Sequence, residues 1–347
     1  MSQKKTRIQF IDIAKGIAMI SIILGHLGNT AINRVVFTFH VPIFFLITGY
    51  FINTKDNIKT FAKKKARSLL IPYAVTCCVI IVLGTLEGTI WGSNMKNTAL
   101  SWIFASFYGS GSTYSEPFPI KNIGAIWFLL ASFWGGILFR FSLNLNAKIR
   151  PCFLAFMFLL GYITASKLFW FPFSIQAGAC AALFMYIGFL VRQTKETLTT
   201  ISSEAKFFSG CFAVIIWASF IKNFQSFWFV SCDFGRGITD IFGCLCACAI
   251  VLWISKQIEK YMPILAKFFI FWGQYSLLVL CIHITELKLF PWWILNNKMT
   301  AMAFSANAQL AATIIIKFVI IGTLTWLFTK INFIRKIFGY QPQNKFI

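Results

Sequence analysis

Acidic side chains are scarce: ten Asp and Glu face 32 Lys and Arg in 347 residues, and only 12% of the chain is charged. A soluble domain carries about twice that share of charge, so a soluble globular protein is excluded. No small-residue cleavage site follows the first apolar run, Ile8 to Leu27. Although Lys4, Lys5 and Arg7 precede it, the run is read as a retained span and not a signal peptide. There is no heptad array, no nucleotide-binding glycine loop and no low-complexity tail. Histidines number only three, and none lies near Cys244, Cys246 and Cys248. A spacing of two turns alternate sulfurs to different sides of a helix, so no metal site is read there. The ten cysteines lie nearly all inside apolar runs, which suits small hydrophobic packers and not a disulfide framework.

What the chain does have is apolar length. Hydrophobic residues make up 58% of it and its mean hydropathy is +0.73, with runs near the ~20 residues needed to cross a hydrocarbon core. Hydropathy predicts spans near 8–28, 35–53, 69–91, 122–140, 151–166, 174–192, 206–222, 238–256, 267–286 and 307–329. The expected fold is an all-α integral membrane bundle of about ten transmembrane helices, one domain over 1–347, with no separate soluble domain. With the N-terminus inside, cytoplasmic segments hold 22 of the 32 Lys and Arg, outer segments hold eight, and Lys15 and Lys317 fall within spans. The positive-inside rule then puts both termini in the cytoplasm. A net charge of +22 so distributed points to membrane lipid as a partner and not to nucleic acid. The segment after Thr329 reads as a basic anchor on the inner surface. Of the outer segments, Gly92 to Lys121 is marked as irregular by Gly109-Ser110-Gly111-Ser112, Pro117 and Pro119, and Leu287 to Ser305, with Pro291-Trp292-Trp293, suits the headgroup layer.

Ionisable groups inside spans cost several kcal/mol unless satisfied, so they mark candidate function. His26, His40 and His283 all fall in or beside predicted spans; a histidine near a helix end also serves simply to bond a neighbouring carbonyl. On a helix, Lys15 and His26 differ by only ~20° in azimuth and lie ~16 Å apart. Asp12 lies three residues before Lys15, where an intrahelical pair lowers the cost of both charges. Gly16, Gly25 and Gly28 let other backbones approach. Lys63, Lys64, Lys65 and Arg67 form a cationic cluster that suits either a phosphorylated donor or anionic lipid. Trp127, Asp233 and Arg236 lie at predicted outer ends, where a sugar could be held; belt aromatics and loop ion pairs look the same in a sequence.

Several segments resemble, in order, the acyltransferase-3 family of membrane O-acyltransferases, in particular its fucose 4-O-acetylase-like and envelope-polysaccharide branch. Arg7-Ile8-Gln9-Phe10-Ile11-Asp12-Ile13-Ala14-Lys15-Gly16-Ile17-Ala18 with Gly25-His26 is similar to the family's first-span signature. Phe39-His40-Val41-Pro42-Ile43-Phe44-Phe45-Leu46-Ile47-Thr48-Gly49-Tyr50 resembles the second, with Thr48 where serine is commoner. Lys64-Lys65-Ala66-Arg67-Ser68-Leu69-Leu70-Ile71-Pro72-Tyr73 resembles the basic stretch opening the third span, with Ser68 departing from the usual basic residue. Ile126-Trp127-Phe128-Leu129, Phe171-Pro172-Phe173-Ser174 and Tyr275-Ser276-Leu277 with His283 are weaker landmarks.

The resemblance implies an acyl-CoA donor, usually acetyl-CoA, an essential histidine at His26, and an acceptor hydroxyl on a glycan or lipid-linked sugar of the cell envelope, such as O-antigen, capsule or exopolysaccharide. It also implies a multi-pass protein of the bacterial cytoplasmic (inner) membrane, without a metal. Some relatives carry a fused extracytoplasmic hydrolase-like domain, which this sequence lacks. In this reading Asp12, Lys15, Lys64, Lys65 and Arg67 serve the donor, His26 acts as general base or briefly carries the acyl group, His40 and His283 assist, and Trp127, Asp233 and Arg236 hold the sugar. A transporter or flippase of a lipid-linked glycan is the rival, although no half-to-half repeat is evident. A homo-oligomer is left open.

Overall fold

In the computed structural model, which describes residues 8–340, the secondary-structure elements are helices. The helices are α1 (Gln9–Gly25), α2 (Thr30–Val36), α3 (Pro42–Tyr50), α4 (Ile58–Lys65), α5 (Ile71–Ile90), α6 (Met95–Tyr108), α7 (Trp127–Ser142), α8 (Arg150–Lys167), α9 (Ile175–Gln193), α10 (Lys195–Thr200), α11 (Ser203–Lys222), α12 (Ile238–Tyr261), α13 (Pro263–Gln274), α14 (Ser276–Leu289), α15 (Trp292–Ala301), α16 (Ala306–Phe328) and α17 (Asn332–Phe338). No named strand occurs among the described residues, where backbone pairing is limited to the bridges Tyr114–Ile120 and Trp228–Asp233. Lys4, Lys5 and Arg7 of the opening motif, and Lys345 of the basic tail, lie outside the described residues.

Among the described residues, five helices are long and apolar enough to cross a membrane: Ile58–Ile90, Pro172–Gln193, Ser203–Lys222, Ile238–Tyr261 and Ala306–Phe328. A sixth span arises if α13 and α14, which meet at a 72° bend, are counted as one. The protein is therefore a multi-pass membrane protein, but hydropathy alone overstates how regular its spans are. The run at 35–53 is not one helix. Pro42 sits in the first turn of α3 and has no N–H to donate, so α2 cannot continue through it; α3 then covers nine residues, about 14 Å. The segment 92–121 contains a helix that the turn residues hide. Asn94 caps α6 by accepting from the Asn97 N–H at 3.0 Å, and Gly109 ends it in the left-handed region at φ 69°.

The chain forms two compact units. Of the described residues, the first comprises 8–52 and 181–276, the second 53–180 and 277–340. In the first unit α1 packs closely on α13 because glycine stands where a side chain would collide. A Cβ on Gly16 would lie 2.1 Å from the Phe269 carbonyl oxygen, and one on Gly273 would lie 1.7 Å from that of Asp12. Gly25 has ordinary contact distances and Gly28 supplies a turn at φ 71°, so of the three glycines singled out in this span Gly16 is the one that serves close approach. Phe45, Phe229 and Phe234 form an aromatic cluster in the same unit.

In the second unit α4 runs into α5 through a π-helical turn over Ala66–Leu70. Pro72 accounts for it: a proline there removes a donor and crowds the carbonyl four residues back, so the helix widens by one residue. Buried Arg140 of α7 donates to the carbonyls of Thr54 and Asp56, and Phe61 packs near Gly136. These contacts fasten the basic segment 54–65 to α7.

Candidate functional site

His26 caps the C-terminal end of α1 and is exposed. Its Nδ1 lies 2.8 Å from the carbonyl of Ile22. A carbonyl only accepts, so Nδ1 carries the proton and the lone pair of the neutral ring is on Nε2. His40 repeats the arrangement: it is buried, and its Nδ1 donates to the Val36 carbonyl at 2.7 Å. Each neutral imidazole is thus held with its lone pair on Nε2. One ring links their surroundings, because Phe37 meets His40 edge-on at 4.8 Å while its tip lies 3.5 Å from where a Gly25 Cβ would be. Thr38, two residues before His40, is held by the Trp217 indole N–H at 2.9 Å.

At the other end of α1, Lys15 and Asp12 form the intrahelical pair that their spacing predicts, at 2.9 Å, with Asp12 buried and Lys15 a quarter exposed. Met19 and Ile22 occupy the stripe between Lys15 and His26 and are 1% and 7% exposed. That stripe is packed, so sharing a face gives the two groups no open channel along the helix.

The remaining sequence candidates have specific partners. Lys64 is bound through both oxygens of Asp56, at 2.8 and 2.9 Å, while Lys65 lies 5.8 Å over the Phe61 ring. Arg67 sits in the π-helical turn, is exposed, and makes no ion pair among the described residues. Arg236 grips Asp240 with Nε at 3.0 Å and an Nη at 2.7 Å, and Asp233 accepts from the Gly235 N–H. Both therefore build the loop that starts α12. Trp127 is 4% exposed in the second unit, whereas Asp233 and Arg236 belong to the first.

His283 is fully buried on α14. Its Nδ1 lies 3.2 Å from Glu286, whose other oxygen is 2.7 Å from Lys317 of α16; all three are within the second unit. The Lys317 ammonium also stands 3.9 Å over the ring of Trp292. Glu286 went unnoticed in the sequence although it lies one helical turn from His283, a spacing that signals an i,i+3 pair. Lys317 was recognisable only as a cation inside a span. Beside this network is a cavity of about 610 Å³, walled mainly by apolar residues including Leu83, Leu289 and Phe290, with Glu286 on its lining.

The apolar, span-length helices define the class: a multi-pass helical membrane protein. The chain belongs to the acyltransferase-3 family: the family's acyltransferase domain model matches residues 8–330. It is 27% identical over 223 residues to the nodulation protein NolL of Sinorhizobium fredii, a match covering 58% of this chain and 54% of that protein, so it spans about half the relative's length. No solved structure matches.

Proposed function

We propose that the protein transfers an acyl group, in the first instance acetyl, from acyl-CoA to a hydroxyl of a cell-envelope glycan. The observation that carries this reading is His26 in an acyltransferase-3 chain, exposed and with Nδ1 tied to Ile22 so that Nε2 can accept a proton. In the direct route, Nε2 takes the proton of the acceptor hydroxyl while its oxygen attacks the thioester carbonyl. The C–O bond forms, the C–S bond breaks, and the leaving thiolate recovers the proton from the imidazolium as free CoA thiol. In the covalent route Nε2 attacks the thioester carbonyl and expels the CoA thiolate; the acceptor hydroxyl then attacks the acyl-imidazole, the C–N bond breaks, and the hydroxyl proton goes to the thiolate.

Arg67 and Lys65 are the better assignments for donor phosphate in the basic segment, since Lys64 is already neutralised by Asp56. Lys15, with Asp12 ordering it, is a separate cationic candidate. His40 and His283, with Trp127, Asp233 and Arg236, stay as candidates for assisting chemistry and sugar binding. The charge distribution supports cytoplasmic termini in a bacterial inner membrane. A ten-pass arrangement further requires α2, its following turn and α3 to cross as one broken segment.

The test is mass spectrometry of envelope glycan from cells making wild type, His26→Ala or no protein, with membrane insertion confirmed for each. Loss of the acyl mass increment with glycan export intact is the expected result. Lost export with unchanged acylation of the remaining glycan would replace this reading with that of a flippase.

A further inference from the structure

Two lysines of the second unit share one indole. Lys121, in the segment before α7, places its ammonium 3.3 Å from the ring centre of Trp102, and Lys288 of α14 places its own 6.0 Å from the same ring. The two cations are therefore no farther apart than the sum of those distances. Lys288 also donates to the Asn122 side-chain oxygen, and Asn122 in turn donates to the Thr113 hydroxyl at 2.7 Å. Both lysines are half-buried, Trp102 is buried, and neither lysine makes an ion pair among the described residues.

Glycines fix the cluster on both sides. A Cβ on Gly84 would lie 2.6 Å from the Trp102 indole nitrogen, and one on Gly124 would lie 3.1 Å from Cε of Lys288. Two like charges held together repel one another, an indole face relieves only part of that cost, and neither ammonium has a carboxylate within ion-pair distance among the described residues. Burial holds the Lys121 amine below the usual lysine range, with Glu87 opposing the shift. An anion between the ammoniums relieves the repulsion.

The residues that follow Lys288, Leu289 and Phe290, are already walls of the 610 Å³ cavity, whose size is that of a small-molecule site. Lys288 of the cationic cluster and two walls of the apolar slot are thus consecutive residues at the end of α14. We infer that Lys121, Lys288 and Asn122 hold the phosphate of a phosphorylated long-chain isoprenyl lipid bearing the acceptor sugar, its hydrocarbon lying in the slot beside α14. This rests on the acyltransfer reading, because it names the form in which the glycan acceptor is presented.

The experiment measures binding to the full-length purified protein in detergent, by native mass spectrometry, of four probes: an isoprenyl monophosphate, the matching isoprenyl alcohol, phosphatidylglycerol and inorganic phosphate. Wild type should bind the isoprenyl monophosphate at least tenfold more tightly than the alcohol or phosphatidylglycerol, and K121Q/K288Q should lose that preference while still binding the alcohol. K121R/K288R should retain at least part of it. If the double glutamine variant fails to fold, N122A is measured in its place and should weaken phosphate preference several-fold.

Equal binding of alcohol and monophosphate would overturn the inference. So would equal binding of phosphatidylglycerol, which would make this a general anionic-lipid site, or full competition by inorganic phosphate, which would make it a free-anion site. The readout is binding and not turnover, so it is separable from the His26→Ala glycan test. Lipid phosphate binding with unchanged glycan acylation in His26→Ala would sink the enzyme reading alone; the reverse pattern would sink only the lipid site.

Discussion

Replacing Lys317 by methionine keeps most of the side-chain volume and removes one cation from the buried His283, Glu286, Lys317 network. The 2.7 Å contact to Glu286 is lost, and the carboxylate, with both partners about 4% exposed, retains only the imidazole. Two magnitudes compete. A hydrogen bond between transmembrane helices contributes about 0.6 kcal/mol on average, whereas stranding one member of a buried ion pair costs about 3–5 kcal/mol. The second governs here because the charge stays behind. It is bounded, because Glu286 can instead take up a proton and shed its charge, which holds the loss to the lower part of that range. Lys317→Met should therefore lose about 3–4 kcal/mol, and the double variant Glu286→Gln/Lys317→Met should recover more than half of it. The assay is thermal and denaturant unfolding of detergent-purified protein followed by size-exclusion chromatography. A single variant within about 0.5 kcal/mol of wild type, or a double variant no better than the single, would show that Glu286 is solvated and that the network is not sealed.

Gly16→Ala should cost about 1–3 kcal/mol, since its methyl would stand 2.1 Å from the Phe269 carbonyl oxygen and α1 and α13 would have to part. Gly210→Ala, on α11 with nothing within 4 Å of the new methyl, should be neutral or slightly stabilising; equal losses for the two would refute close packing as the cause. Lys121 faces Trp102, Glu87 and Lys288, and burial lowers its pKa from 10.5. The folded state therefore carries a cost of the charged amine below the lowered pKa, relieved as the pH rises from there toward 10.5. Wild type should gain stability over that alkaline window relative to Lys121→Met, as read by melting curves at stepped pH, and parallel curves for the two proteins would contradict it.

Local signals in the sequence were enough for the membrane class, the helical architecture and one pair of charges. Apolar runs long enough to cross a bilayer follow from composition alone. The Asp12–Lys15 pair follows from helical spacing, because i and i+3 are neighbours on any helix. The same reasoning put Lys15 and His26 on one face but could not see what fills the stripe between them: Met19 and Ile22 are buried by residues distant in sequence.

Tertiary structure decided which charges are already satisfied. Lys64 and Arg67 are three residues apart in one basic run, yet the chain brings Asp56 onto Lys64 because Arg140, more than seventy residues away, holds the Asp56 backbone. His283 is joined through Glu286 to Lys317, 31 residues beyond that carboxylate, whereas the partner of Arg236, Asp240, is a local one at i+4. The tautomers of His26 and His40 likewise rest on local contacts, since Nδ1 of each reaches the carbonyl four residues back. A sequence records which groups can ionise and how they repeat along a helix; which neighbour neutralises each one is fixed by packing between helices, where a charge in an apolar medium must find its partner in three dimensions.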